Sequence, residues 1–393
     1  MKRTSLFENW FRTLKVLVLC LGSTLVSAGW LLGVATLAAA AESGTAQPKE
    51  WEKTLDAAKR EGRVVIHGAS EVPELFEEAF RKAYPEIKVT TISAGRGTER
   101  IQRIMSERRA GQYLVDLYIG SPRDVYSTFL PAGIIDPIQP LLLLPEVVDK
   151  SKWWMGKHHY VDAENKFIFI YEGAPQGGGI LYNKNLVDLK ALKSFSDILN
   201  PKWKGKMASI DPMISGAHEQ NLRFFYYHPQ IGPEFIKRLY SEMDIIISRD
   251  DRQVLDWLAV GKIAFALFPR NFEDAVKQGL PIAEIPFGHF KEGAFIDPFT
   301  GLVSFMNRAP HPNAARVAVN WLLSREGQIA FQKYKAAAGC NSCESLREDI
   351  PKDHLVFRRK EGVSYMMTTR PEMIDMTPIR RLIKESLAKA KKD

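Results

Sequence analysis

Cysteine is scarce in this chain: three residues in 393. That excludes the small secreted scaffolds held together by many disulfides. Cys20 falls in a distinctive N-terminal stretch, which leaves Cys340 and Cys343 for the rest of the chain. A tetrahedral zinc site would need a second ligand pair, and none accompanies this C-x-x-C. A thioredoxin-like pair should follow a strand and open a helix, whereas this one follows a helical stretch ending near Lys335. A small disulfide loop between Cys340 and Cys343 is the simplest expectation, with a redox or metal-binding pair as the sharper alternative.

Catalytic signatures are missing as well. There is no G-x-S-x-G elbow, no H-E-x-x-H pair, no P-loop and no dinucleotide glycine spacing. A Ser–His–Asp set assembled only in space stays open as an exported-hydrolase alternative. Strong charge is absent too. The formal balance is +8, and it falls to about +5 once Lys2, Arg3, Arg12, Lys15 and Glu8 are set aside with the leader. That is too mild and too scattered to indicate a nucleic-acid partner.

What is present begins with that leader. Four basic residues precede a mostly apolar run from Val16 to Leu37, followed by Ala38 to Ala41 and then Glu42. A basic start, an apolar middle and a small-residue exit predict a signal peptide over 1–41, with cleavage after Ala41 and a periplasmic mature chain. An uncleaved N-terminal anchor is the alternative, since about 20 apolar residues suffice to span a bilayer. A lipoprotein reading at Cys20 is rejected because Leu19 stands where a small residue is needed. With 45% hydrophobic and 25% charged residues, the remainder is globular and long enough for two lobes.

Beyond the leader, the periodicity alternates. "EWEKTLDAAKREG" places Trp51, Leu55 and Ala58 on one helical face and stops at Gly62. "RVVIHGAS", "IKVTTIS" and "LVDLYIGS" read as strands, separated by the helical "EVPELFEEAFRKAYPE" and "RGTERIQRIMSERRAG". Strand, helix, strand, helix, strand predicts a parallel sheet with right-handed crossovers, and such sheets bind ligands outside the carboxyl ends of their strands. Those ends carry Ser70, Ser93 with Arg96, and Ser121 with Arg123. Each serine suits a helix N-cap. The arginines are less easily absorbed, because a cation at a helix N-terminus opposes the dipole. Surface ion pairs with Glu99 or Asp124 would account for them, and an anionic ligand shared by helix ends and arginines would account for them better.

The glycine run in "EGAPQGGGILYNKNLV" opens a strand-like segment, and no helix follows it, so it cannot cradle a phosphate as a P-loop does. Backbone freedom just before a strand fits a crossover between lobes, or an ordinary flexible loop. The alternation then restarts. "MASIDP" is a strand ending at Asp211, "ISGAHEQNLRFFYYHPQ" a helix entered through Ser215, and "KIAFALFPRNFEDAVKQG" a strand, a loop and a helix.

In order and spacing, "VVIHGAS…LFEEAFRKAYPEIKVT", "VDLYIGSP", "GGGILYNKNLV", "W-KGKMASIDP", "VGKIAFALFP" and "NRAPHPNAARVAVNWLLSREGQIAFQ" resemble the periplasmic solute-binding proteins of ABC importers. The branch is the ferric-iron, thiamine and polyamine type of the two-lobed type 2 fold. The resemblance implies an α/β architecture: two lobes, each a mainly parallel sheet flanked by helices, joined by hinge strands. It divides the chain into a first lobe over 42–172, a second over 173–290, and a return to the first over 291–393 with C-terminal helices. It also implies a monomer that closes on a small solute and delivers it to membrane permease subunits, with no resident cofactor and no catalysis. A sensor subunit on the same fold is a further alternative.

Ferric-binding relatives commonly hold iron through adjacent tyrosines in the loop after the strand equivalent to "KIAFAL". Here that loop reads Phe268-Pro269-Arg270, which offers no anionic oxygen and adds a positive charge. Tyr226 and Tyr227 lie in a helix beside Phe224 and Phe225, where an aromatic cluster is more often core. His67 is a weak metal candidate and is expected instead as a hydrogen-bonded residue of the cleft wall; the His158–His159 pair carries little metal weight. Ferric iron therefore remains an alternative cargo. The favoured solute is a small anion held by Arg96, Arg123 and Arg270: an organic acid, a phosphate or phosphonate, or a metal with a synergistic anion. Asp211 and Asp297 would read an amine or hydroxyls, or simply serve Asp-Pro turns.

Overall fold

Two separate apolar cores organise the chain, each built on its own sheet. The computed structural model describes residues 48–68, 72–93 and 97–390. The leader over 1–41 with Cys20, and the site residues Ser70 and Arg96, lie outside the described residues.

The first core surrounds a sheet of β1 (Arg63–Gly68), β2 (Lys88–Ile92), β3 (Leu117–Ile119), β4 (Ile135–Asp136), β5 (His159–Tyr160), β6 (Ile168–Ile170) and β14 (Leu302–Met306). The order is β2-β1-β3-β14-β6-β5, with β4 also on β14. β1 pairs in parallel with β2 and β3, and β14 runs antiparallel to β3. Five of the six β1 residues are buried, as expected of a strand covered on both faces. The helix over 48–61 packs Trp51, Leu55 and Ala58 on this core. Gly62 ends it at φ 64°, its N–H donating to the Ala58 carbonyl at 2.8 Å; glycine adopts that left-handed turn without strain.

The second sheet has the order β10-β9-β11-β8-β12, from β8 (Ile180–Asn183), β9 (Met207–Ile210), β10 (Ile246–Ser248), β11 (Phe265–Leu267) and β12 (Ile282–Glu284). β9, β10 and β11 are mutually parallel, while β8 runs antiparallel to both its neighbours. Aromatic rings fill its core, with Phe195 4.4 Å from Phe290 and 5.2 Å from Phe225.

A third sheet joins the lobes. β13 (Ala294–Asp297) sits between β7 (Ala174–Gln176), antiparallel to it, and β15 (Tyr365–Met367), parallel to it. The glycine run follows β7 directly. Gly178 and Gly179 have φ of 94° and 66°, and a Cβ on Gly177 would lie 2.9 Å from the Phe287 backbone nitrogen. The run thus serves a tight backbone passage.

Where the chain goes after β15 corrects the expected return to the first lobe. The helix Thr377–Ala390 packs against the helix Gly232–Glu242, and Met376, Ile379 and Ile383 are buried in the second core. An apolar stripe at i, i+4 requires a partner but does not say which lobe supplies it.

Cys340 and Cys343 form a disulfide. The segment after it is tied to the first crossover: Gly173 N–H donates to the Glu344 carbonyl at 2.7 Å, and Leu346 N–H to that of Tyr171 at 2.8 Å. Among the described residues, no helix is long and apolar enough to cross a membrane.

Candidate functional site in the cleft between the lobes

Beside the hinge sheet, two cavities of about 290 and 220 Å³ share Ser215, Gly216, Ala217, Gln220 and Phe299 and form one cleft. The first lobe contributes Ser121, Pro122 and Arg123, from the turn that follows β3. Pro122 suits the first helical turn there, and the Ser121 side chain makes no capping hydrogen bond, so its hydroxyl is not spent as an N-cap. The second lobe contributes the start of the helix Glu219–Tyr227, the hinge contributes Asp297, and the segment after β15 contributes Thr369 and Ile374.

The centre of the cleft is Glu219, buried to 4% exposure. Three guanidinium groups converge on its carboxylate from three parts of the fold. Arg380, on the C-terminal helix, donates from Nη2 at 2.5 Å; Arg123, on the first lobe, from Nη1 at 3.5 Å; and Arg223, one turn further along the same helix, has Nη2 at 3.8 Å. Arg380 also donates to Ser215 Oγ at 2.9 Å. Arg223 is itself buried, and that burial lowers its pKa despite the opposing pull of Glu219 and Asp297. Nε of Arg223, Nε of Arg380 and Oγ1 of Thr369 are buried with no hydrogen-bond partner among the described residues. Buried donors are normally paired, so unspent donors around a cavity mark a place for acceptors.

Asp297 faces this cluster from β13. Its oxygens accept from Phe299 N at 2.9 Å and Gln220 Nε2 at 2.6 Å, and desolvation pushes its pKa up to about 6 against those bonds and the Arg223 charge. The Asp-Pro turn and the cleft position are both realised.

The other expected residues are more scattered. Arg270 lines the smaller cavity, but Asp251 accepts its backbone N–H at 2.9 Å and its guanidinium at 2.8 and 3.2 Å. Asp211 accepts Met213 N at 3.0 Å and Arg249 Nε at 2.9 Å, a local turn with an ion pair. The Ser93 carbonyl accepts from Arg100 Nη1 at 3.4 Å. His67 departs from the hydrogen-bonded histidine expected. It is fully buried, 6.4 Å from the Tyr118 ring, with neither ring nitrogen partnered among the described residues. Burial foremost, then the charges of Arg100 and Arg103, lowers its pKa to about 4. Tyr227 donates its hydroxyl to the Glu372 carbonyl at 2.7 Å and lines neither of the two cavities.

Sequence reasoning thus missed Glu219, Arg223 and Arg380. Glu219 and Arg223 stand at i, i+4 at the start of a helix that otherwise turns aromatic, a legible ion-pair signal. Arg380 had no such signal, because its helix was assigned to the other lobe.

Two lobes on hinge strands around a polar cleft define a solute-binding architecture, and comparison with known proteins agrees. Residues 66–329 match the family described as bacterial extracellular solute-binding protein. The chain belongs to that family, whose members supply the binding component of ABC import. A Haemophilus influenzae protein described as uncharacterized is 25% identical over 285 residues, spanning 69% of this chain and 75% of its own. Among solved structures, the fold is similar to Trichodesmium IdiA (FutA), determined with iron and citrate ligands: TM-score 0.54 and 18% identity over 84% of this chain and 99% of that one. It is also similar to apo ferric ion-binding protein A of Pasteurella haemolytica, with TM-score 0.52 and 15% identity over 83% and 98%.

Proposed function

We propose that this chain captures a small anionic solute between its lobes, as a monomer without catalytic activity, and passes it to membrane permease subunits. The observation that carries the reading is the convergence of Arg123, Arg223 and Arg380 on one buried carboxylate, with donors of the cavity-lining Arg223 and Thr369 left unspent. Guanidinium groups recognise carboxylate and phosphate oxygens through paired, charge-assisted bonds. Arg123 belongs to one lobe and Glu219 to the other, so a ligand bound here touches both lobes only when they are closed. Its differential affinity then shifts the population toward the closed form.

Export by cleavage after Ala41 belongs to the same proposal, and the N-terminal sequence of the secreted protein tests it. The ligand is tested by native mass spectrometry of the mature protein, purified gently from its own compartment. An added mass matching a small organic or phosphorylated anion supports the reading. An added mass of iron without an anion overturns it, and turnover of an ester or phosphate panel would replace a binder with a hydrolase.

A further inference from the structure

We propose that Glu219 is a resident counter-ion standing where the cleft takes the anionic end of its solute, and that it sets a threshold favouring a doubly charged, phosphoryl-type group over a single carboxylate. The inference rests on the reading of the cleft as an anion site and specifies the charge that site selects.

Three observations support it. First, the carboxylate ties together three parts of the fold, one of them in the opposite lobe: the turn after β3, the helix Glu219–Tyr227 and the C-terminal helix. Second, it serves them unequally. Arg380 is held at 2.5 Å while Arg123 and Arg223 stand off at 3.5 and 3.8 Å, so two oxygens do not satisfy three guanidinium groups. Third, donors are left over: Nε of Arg223, Nε of Arg380 and the Thr369 hydroxyl lack partners among the described residues.

An incoming carboxylate that takes Arg123 and Arg380 from Glu219 exchanges like for like and gains little. A phosphoryl group brings a second charge and three terminal oxygens, enough to engage both guanidinium groups and the Thr369 hydroxyl together. Glu219 does not become an orphan buried charge in that exchange, because Arg223 lies one turn away on its own helix and retains it. Asp297 acts on Arg223 through its charge alone, since its oxygens accept from Phe299 N and Gln220 Nε2.

The test is isothermal titration of the mature chain at pH 8 and constant ionic strength with inorganic phosphate and with acetate, both small enough for a cavity of about 290 Å³. Phosphate is expected to bind at least tenfold more tightly than acetate, and Glu219→Gln to tighten phosphate binding at least tenfold further. Equal affinities for the two anions, or weaker phosphate binding by a folded Glu219→Gln protein, would overturn the counter-ion. Arg123→Ala, altered at an exposed side chain and so no threat to folding, is expected to weaken phosphate binding at least tenfold. Phosphate binding to neither wild type nor Glu219→Gln would overturn the anion reading of the cleft itself.

Discussion

Arg123 of the first lobe and Glu219 of the second face each other across the cleft, Nη1 to Oε2 at 3.5 Å. Arg123 is more than half exposed, while Glu219 is buried. An ion pair with one solvated partner contributes little to stability, about 0–1 kcal/mol. Its weight is expected in binding. Arg123→Ala should weaken anion affinity by about 1.5–3 kcal/mol, the usual scale of a hydrogen bond to a charged group, with a barely moved melting temperature. Titration calorimetry beside a thermal melt separates the two effects, and an unchanged affinity would remove Arg123 from the site.

Arg270 supplies the contrast. Its position after β11 singles it out in the sequence, yet its guanidinium is already engaged by Asp251 and is largely exposed. Arg270→Ala should therefore change anion affinity by less than about 0.5 kcal/mol and stability by about 0–1 kcal/mol. A loss of binding as large as that for Arg123→Ala would show that Asp251 releases it when the lobes close.

Asp297 makes stability depend on pH in a direction opposite to most carboxylates. Its folded pKa, raised to about 6 by desolvation, lies above the usual 3.8. Between these values the folded state holds a proton that the unfolded state has lost, so this group's contribution falls as pH rises through that window. Urea midpoints compared at pH 4.5 and 7.5 should show this component in the wild type and lack it in Asp297→Asn. Protonation also removes a negative charge facing Arg223, so affinity for an anion whose own charge is constant over the range, such as sulfate, should rise as pH falls from 7 toward 5.

His67 acts in the opposite sense. Its pKa is lowered to about 4, against 6.5 in the unfolded chain. On acidification the unfolded state protonates first, and stability from this residue is lost as pH falls from 6.5 to 4. Its ring nitrogens have no partner among the described residues, so an apolar replacement forfeits no bond there. His67→Leu should match or exceed wild-type stability at pH 5, read from urea denaturation; a clear loss would mean the ring is hydrogen-bonded after all.

How much of this was legible before the structure follows from the range of the interactions involved. The buried run Val64–Ile66 and the helical face of Trp51, Leu55 and Ala58 are local periodicities, and they appear where the pattern puts them. β10, three residues between two helices, was not among the strands expected. Ser121, Arg123, Ser215 and Asp297 line the cleft because loops at strand ends face it by topology. Arg380 stayed hidden because its role depends on where the C-terminal helix docks, which an apolar stripe does not specify.

Gly301 tests the hinge without touching the cleft. It stands just before β14, on the return crossover, and its carbonyl accepts from Tyr171 N at 3.0 Å and Glu172 N at 3.3 Å on the outgoing one. A Cβ there would lie 2.0 Å from Glu172 Cβ and 2.3 Å from its Oε2. Glu172 cannot easily retreat. It is fully buried, with Lys335 Nζ 3.6 Å from Oε2 and the Cys340–Cys343 sulfurs within 4.8 Å. The extra methyl must push the two crossovers apart, and overpacking of this kind costs about 1–3 kcal/mol. Gly301→Ala should lower the urea midpoint accordingly, and anion affinity should fall with it, since both crossovers must keep their spacing for the lobes to close. Wild-type stability and affinity in this variant would mean that the crossovers are loosely packed and that lobe closure does not depend on their contact.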